Sequence, residues 1–233
     1  MFYEDSFAID KNRLKELCDR LIEENLNICW TCSCNVRTLT KPLLQKMKQA
    51  GCWLVSMGIE SGNEKVLKFL RKPVRLDEVR RAVHWADEAG LLVRGFFMIN
   101  HLIDTKETIR QTISFAKELP LFTATFCILF LVPGSKVREI AHHYGTVNYD
   151  YCLNTGHPGA TLSFIAKGLT AEYLKSTQRR AYAEFFLRPS QWLRLLRSLD
   201  SWEDVRKYWE LIRAFIKLYI KVLGRVTGTS LAV

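Results

Sequence analysis

Apolar residues along the first two thirds of the chain switch between two spacings. Over residues 11–24 they recur three and four apart. Leu14, Leu17, Cys18, Leu21 and Ile22 make one stripe, and Asp10 stands where a helix N-cap belongs. Residues 28–34 read as a strand. A helix is expected from residue 40, with Pro42 in its first turn and Leu43, Leu44 and Met47 turned inward, stopping at Ala50-Gly51. A strand over 53–59 comes next. Asn63 is expected to cap a short helix carrying Val66, Leu67 and Leu70, and Asp77 to cap another carrying Val79, Val83 and Ala86. A strand over 92–99, a helix over 105–119 and a strongly apolar strand over 123–132 complete the series, closed by Pro133-Gly134. The junctions Ala50-Gly51 and Ala89-Gly90 lie 39 residues apart, about one strand–helix unit. Strands and helices alternating at this interval predict parallel strands joined by right-handed crossovers, hence an α/β sheet or barrel. Beyond Pro133 the pattern changes. Residues 142–158 read as loop and 162–165 as one short strand. Helices are expected over 170–186, from Ser190, and over 202–223. Three parts follow from this pattern: 1–140, a loop-rich connection over 141–168, and a basic helical extension over 169–233.

In a parallel array, ligands gather at the carboxyl ends of the strands. Along 53–59 the alternation puts Val55, Met57 and Ile59 on a face suited to helices. Ser56, Gly58 and Glu60 fall on the other, small and polar, with Glu60 at the strand end. Arg37 follows the preceding strand and is placed near the same rim, where it either grips a carboxylate with two donors or pairs with Glu60. Along 92–99, Arg94, Phe96, Met98 and Asn100 share a face, and Arg94 in mid-strand needs a partner if it points inward. Cys29, Cys32 and Cys34 invite a metal reading. In a strand, however, Cys32 and Cys34 share a face and Cys29 takes the other, whereas three thiolates on one ion need a loop that wraps it. Buried free thiols and no metal site are expected. His142-His143, at consecutive positions, cannot present one helix face to a metal. The chain carries no GxxxxGK[ST], GxGxxG, GxSxG or HExxH.

With 233 residues, 48% hydrophobic and 25% charged, the chain is neither disordered nor a coiled coil. Its net charge is +10, and residues 167–225 hold 13 basic and 6 acidic residues. That bias suits an anionic surface as well as a solvated helix face. On the last expected helix, Tyr208, Leu211, Ile212, Phe215, Leu218, Tyr219 and Val222 form an apolar stripe beside Lys207, Arg213, Lys217 and Lys221; such a helix docks on its own domain or, in an alternative reading, belongs to a non-catalytic basic remnant or scaffold that binds a membrane surface or partner chain. The aromatics lie on that stripe rather than alternating with bases, which argues against nucleic acid. The first residues are acidic with no apolar run behind them, unlike a secretory signal. The odd count of seven cysteines fits reduced thiols and a cytoplasmic location, with room for peripheral membrane contact.

A longer string of motifs runs through the chain: Phe2-Tyr3-Glu4-Asp5-Ser6-Phe7, Trp30-Thr31-Cys32 through Arg37, Ala50-Gly51-Cys52, Gly58-Ile59-Glu60-Ser61-Gly62 with Lys72 behind it, Gly95-Phe96-Phe97-Met98-Ile99, Val132-Pro133-Gly134-Ser135 and Phe185-Phe186-Leu187-Arg188-Pro189. The string resembles the radical S-adenosylmethionine (SAM) superfamily, and within it the group whose full-length members carry a cobalamin-binding domain. The resemblance implies an incomplete TIM-type barrel of parallel strands with a C-terminal α-helical extension, holding SAM and a 4Fe-4S cluster, with cobalamin in full-length relatives. It implies reductive cleavage of SAM and hydrogen abstraction or methyl transfer on a small-molecule or lipid-like substrate. By the same match Glu60 and Ser61, with Gly58 beside them, are candidates for ribose or amino-acid contacts, Arg37 for the methionine carboxylate, and Asn100 for the loop beside adenine. The family's CxxxCxxC cluster loop does not occur in this sequence. The chain is therefore expected to begin at what resembles the second strand and to present an open apolar sheet edge. It is further expected to be inactive alone, with a missing N-terminal segment or a partner chain supplying the cluster. The loop after Ile99 also departs from the family: Asn100 and Leu102 stand where Gly and Pro are usual, and Asp104 where Glu is usual.

Overall fold

A computed structural model describes Phe2, residues 6–149, 162–191 and 193. The chain divides into two compact units, Met1–Gln178 and Arg179–Val233. The expected helix over 202–223, with its membrane-suited stripe, lies outside the described residues, as does most of the one expected from Ser190.

The first unit is built from strand–helix repeats. Helix α1 (Lys11–Glu23) starts where Asp10 accepts hydrogen bonds from the Asn12 and Arg13 N–H groups, each at 3.0 Å. Strand β1 (Trp30–Cys34), a 3₁₀ turn (Val36–Thr38), α2 (Lys41–Gln49), β2 (Cys52–Glu60), α3 (Glu64–Phe69), α4 (Leu76–Glu88), β3 (Leu92–Ile99), α5 (Lys106–Glu118) and β4 (Thr123–Ile128) follow in order. The four strands form one sheet in the order β1-β2-β3-β4, every pair parallel. This is the parallel α/β arrangement that the alternation predicted, and it fits the incomplete barrel that the resemblance implied.

Side-chain alternation gives the sheet two unlike faces. Cys32, Cys34, Val55, Met57, Ile59, Val93, Phe97, Ile99, Ala124 and Phe126 are buried under the helices. The opposite, inner face carries Thr31, Ser33, Ser56, Gly58, Arg94, Phe96, Thr123 and Thr125, most of them half-buried. Burial of the outer face supplies the fold's main driving force; each large aliphatic or aromatic side chain there contributes about 1.5–3 kcal/mol.

Three expectations need correction. Asp77 does not cap α4. Arg75 occupies the cap position, its N–H bonded to Glu78 at 2.8 Å, while Asp77 lies in the first turn and pairs with the Arg75 guanidinium. The strand expected over 123–132 stops at Ile128, because the Leu131 N–H is taken by the Ser163 hydroxyl at 3.0 Å instead of a neighbouring strand. The outer edge of β1 is not bare. Phe2 and Phe7 donate backbone N–H groups to Thr31 and Ser33, both at 2.9 Å; their rings stack on each other at 4.8 Å, with the Trp30 ring edge-on to Phe2 at 5.4 Å.

After β4 come a short helix α6 (Lys136–Ile140), a 3₁₀ turn (Ala141–His143) and an antiparallel pair, β5 (Gly145–Val147) with β6 (Phe164–Ala166). The strand expected over 162–165 is therefore found as Phe164–Ala166, starting two residues later and lying outside the parallel sheet. Helix α7 (Ala171–Phe186) contains the division between the units. In the described part of the second unit it ends before Arg188, whose guanidinium lies 4.2 Å from the Phe185 ring centroid. Among the described residues no helix is long and apolar enough to cross a membrane.

Candidate functional site

The carboxyl ends of β2 and β3 both finish on a residue in the left-handed region, Glu60 at φ 69° and Asn100 at φ 70°. Non-glycine residues adopt this conformation only when their surroundings enforce it, and functional sites concentrate such strain.

At Glu60 the surroundings come from α3. Asn63 caps that helix by accepting the Val66 N–H at 3.1 Å. The helix ends in a paired turn: Arg71, at φ 53°, donates to Lys68, and Lys72 donates to Leu67, both at 3.0 Å. The reversal sends the Lys72 side chain back over β2. Its ammonium donates to the Gly58 carbonyl at 2.7 Å and to Glu60 Oε1 at 3.1 Å. A methyl group on Gly58 would lie 2.9 Å from Glu60 Oε1 and 3.3 Å from Lys72 Nζ. Gly58 thus leaves the space that the Lys72–Glu60 pair fills. Both side chains keep part of their surface open, 21% for Lys72 and 29% for Glu60, so the pair can meet a ligand.

The other candidates separate. Arg37 sits on the 3₁₀ turn after β1, exposed, with its N–H bonded to Asn35. Cys34 is the register partner of Met57, so Arg37 and Glu60 each lie three residues beyond paired positions, on the same rim. Glu60 nevertheless takes Lys72 as its ion partner. Ser61 is fully buried and turned toward α5. Its hydroxyl lies 3.1 Å from the Thr112 hydroxyl and accepts the Asn63 N–H at 3.2 Å, while the Gly62 N–H donates to Thr112 at 3.0 Å. Ser61 secures the strand tip instead of facing the hollow. Asn100 is also fully buried and spends its whole amide on β6, donating to the Phe164 carbonyl at 2.8 Å and accepting the Ala166 N–H at 2.9 Å. Its φ shows that asparagine sustains here the conformation usual for glycine.

Sequence reasoning passed over two features. One is the role of Lys72. The other is His101, 3% exposed, whose Nε2 finds no hydrogen-bond partner. Burial lowers its pKa, so the ring is neutral at neutral pH. Asp104, equally buried, accepts the His101 N–H at 2.8 Å and the Thr108 hydroxyl at 2.5 Å, and burial raises its pKa. A buried His and Asp a few residues past a strand end carry no periodic signal that would have singled them out.

The described cysteines are not gathered at one point. Cys32 and Cys34 lie under the helices with sulfurs 3.7 Å apart. Contact with Cys32, together with burial, raises the Cys34 pKa, and burial raises that of Cys18 to about 11. Among the described residues no group of three or more His, Cys, Asp or Glu is placed to hold a metal ion. The described residues therefore do not fit a 4Fe-4S cluster.

A parallel partial barrel with a strained Glu at one strand tip, inside a Gly-Ile-Glu-Ser-Gly segment, narrows the family. The model of the radical SAM superfamily matches residues 7–116. The chain belongs to that superfamily. Over 190 residues this radical SAM chain is 32% identical to an uncharacterized methyltransferase of Pyrococcus horikoshii, a match covering 81% of the chain and 40% of that protein. It is 28% identical over 153 residues to the bacteriochlorophyllide d C-8(2)-methyltransferase of Chlorobaculum tepidum, covering 64% of the chain and 34% of that protein. Among solved structures, coproporphyrinogen III oxidase (HemN) of Escherichia coli superposes with a TM-score of 0.54 at 13% identity, over 76% of this chain and 37% of its own. The methyltransferase TsrM of Kitasatospora setae, with cobalamin and a 4Fe-4S cluster bound, gives 0.51 at 21% identity, over 57% and 26%. These two likenesses show a shared fold. The chain spans less than half the length of each of these four proteins.

Proposed function

We propose that this chain is the SAM-binding and substrate-binding portion of a radical SAM enzyme that transfers a methyl group to, or abstracts hydrogen from, an organic substrate. The observation that carries the proposal is the β2 tip, where Glu60 is held in a left-handed conformation with Lys72 bridging its carboxylate to the Gly58 carbonyl. Such a tip offers a carboxylate acceptor for ribose hydroxyls or an α-ammonium and a cation for a carboxylate, the groups SAM displays. Arg37 on the same rim adds a planar guanidinium suited to the methionine carboxylate. When bound, SAM supplies the methyl or adenosyl chemistry. The residues here bind and orient it, while the polar inner face receives the substrate.

The cluster needs thiolates from outside this sequence, on another segment or a partner chain. Anaerobic incubation of the 233-residue chain with iron and sulfide tests this. The expected result is no stoichiometric 4Fe-4S absorption and no SAM cleavage; a clean cluster spectrum with cleavage would overturn the external source of the thiolates, and SAM binding by the chain tests the rest of the proposal. Methyltransferase relatives favour methyl transfer: the Chlorobaculum enzyme is named for bacteriochlorophyllide d, and a Streptomyces wedmorensis relative, 25% identical, for cytidylyl-2-hydroxyethylphosphonate.

A further inference from the structure

The pairing of the four parallel strands places one inward side chain from each at a single level. Ser33 is opposite Ser56, Ser56 opposite Arg94, and Arg94 opposite Thr123. Side chains of in-register parallel neighbours point the same way, so these four form a polar layer across the inner face. The level above begins with Gly58 and Phe96, and Leu54 and Leu92 lie below. Arg94 is half-buried in that layer, and none of the described residues bonds to its guanidinium or lies within ion-pair reach of it. Glu60, already paired with Lys72, is the sole acidic residue in the four strands. The Ser56 hydroxyl, on a residue 2% exposed, is likewise engaged by no described group. Partly burying a cation without a counter-charge is costly. An arrangement that keeps such a cation, ringed by hydroxyl donors and free of competing carboxylates, is complementary to an anion entering from the hollow.

We infer that Arg94, with Ser33, Ser56 and Thr123, forms an oxyanion-recognition layer, and that the substrate carries a carboxylate or phosphoryl group bound there. This deepens the proposed function by naming the substrate class. Guanidinium donors match either oxyanion two-pronged, and the hydroxyls complete the shell. Ser56 lies four residues before Glu60, roughly 13 Å of strand at ~3.3 Å per residue. The substrate is therefore long enough to set its anionic end deep in the barrel while its reacting end meets SAM at the rim. Phe96, one level above, provides an apolar wall for the body between them.

The test uses the 233-residue chain, with methylphosphonate and succinate titrated at constant ionic strength against chloride and thermal unfolding as the readout. The wild type is expected to gain several degrees with at least one of the two anions, and which one assigns phosphoryl or carboxylate. Arg94→Met is expected to lose that response, with apparent affinity weakened at least tenfold, and to melt no lower than wild type without anion, because the charge removed has no partner among the described residues. Arg94→Lys should keep part of the response. An Arg94→Met response equal to wild type would overturn the inference. So would melting several degrees lower without anion, which marks Arg94 as structural. SAM titrated in parallel against wild type and Glu60→Gln separates the two claims: an intact anion response in a wild-type chain that does not bind SAM sinks the proposed function and leaves this layer standing, whereas SAM binding lost only in Glu60→Gln supports the proposed function.

Discussion

Gly58 and Gly62 bracket the same five-residue segment, yet the structure gives them opposite burdens. A Cβ on Gly62 would stand 2.6 Å from Phe115 Cβ, 2.8 Å from the Gln111 carbonyl oxygen and 2.8 Å from the Thr112 Cα. All three belong to the body of α5, which cannot yield without moving the helix. Overpacking of this kind costs about 1–3 kcal/mol, and at this chain length each kcal/mol lowers Tm by roughly 2–4 °C. Gly62→Ala is expected to melt roughly 2–12 °C lower. A Cβ on Gly58 meets only Glu60 Oε1 and Lys72 Nζ, the far ends of two flexible side chains. They can swing aside at a cost below about 1 kcal/mol, partly offset because alanine loses less backbone entropy than glycine in a strand. Gly58→Ala should fold with nearly wild-type stability and lose the geometry of the rim. Thermal and urea unfolding of both variants, with SAM binding measured on each, checks the contrast. If Gly58→Ala proves as destabilised as Gly62→Ala, or binds SAM normally, the assignment of space at Gly58 to the Lys72–Glu60 pair is wrong.

Two further expectations follow. Thr112→Val should lower stability by about 1–3 kcal/mol in urea unfolding, because it leaves the Gly62 N–H without its acceptor and the Ser61 hydroxyl without its Thr112 partner inside the fold; no change in midpoint would refute that network. His101 is neutral and buried with its pKa lowered. As pH falls below ~6.5 the unfolded chain takes up a proton there that the folded chain does not, so stability declines until the folded-state pKa is reached. Unfolding free energies at pH 7.5 and 5.5 should differ more for wild type than for His101→Leu, and equal differences would contradict the burial.

Much of the fold was legible because the helices carry both signals of their kind, a periodic stripe and a cap. Asp10 and Asn63 cap as expected, and Gly51 and Gly90 mark helix ends at positive φ. The α4 start was misplaced because Asp77, a good cap by type, is better placed in the first turn beside Arg75, where it also favours the helix dipole. Strand β5 was invisible because Gly145 has no side chain to alternate. The gap is required, since a Cβ there would lie 2.0 Å from the Ile165 carbonyl oxygen. At the site, alternation put Ser56, Gly58 and Glu60 on one face and Arg94 with Phe96 on one face of the next strand; the register pairs Ser56 with Arg94 and Gly58 with Phe96, but shifts before Glu60, which pairs with Phe97. Ser61 and Asn100 fall outside that rule. Each follows a left-handed or bulged residue, or is one, and the alternation that holds along a strand does not carry past its end. Lys72 was hidden for a related reason: its direction depends on the Arg71 turn, twelve residues from its partner.

The most direct test of the account is equilibrium binding of SAM to the 233-residue chain and to its Glu60→Gln and Lys72→Met variants. Charge-assisted hydrogen bonds are worth about 1.5–3 kcal/mol, which converts to roughly 10- to 100-fold in affinity. The account predicts saturable binding by wild type and weakening of that size in both variants. Identical affinities in all three, or no binding by a folded wild type, would contradict it.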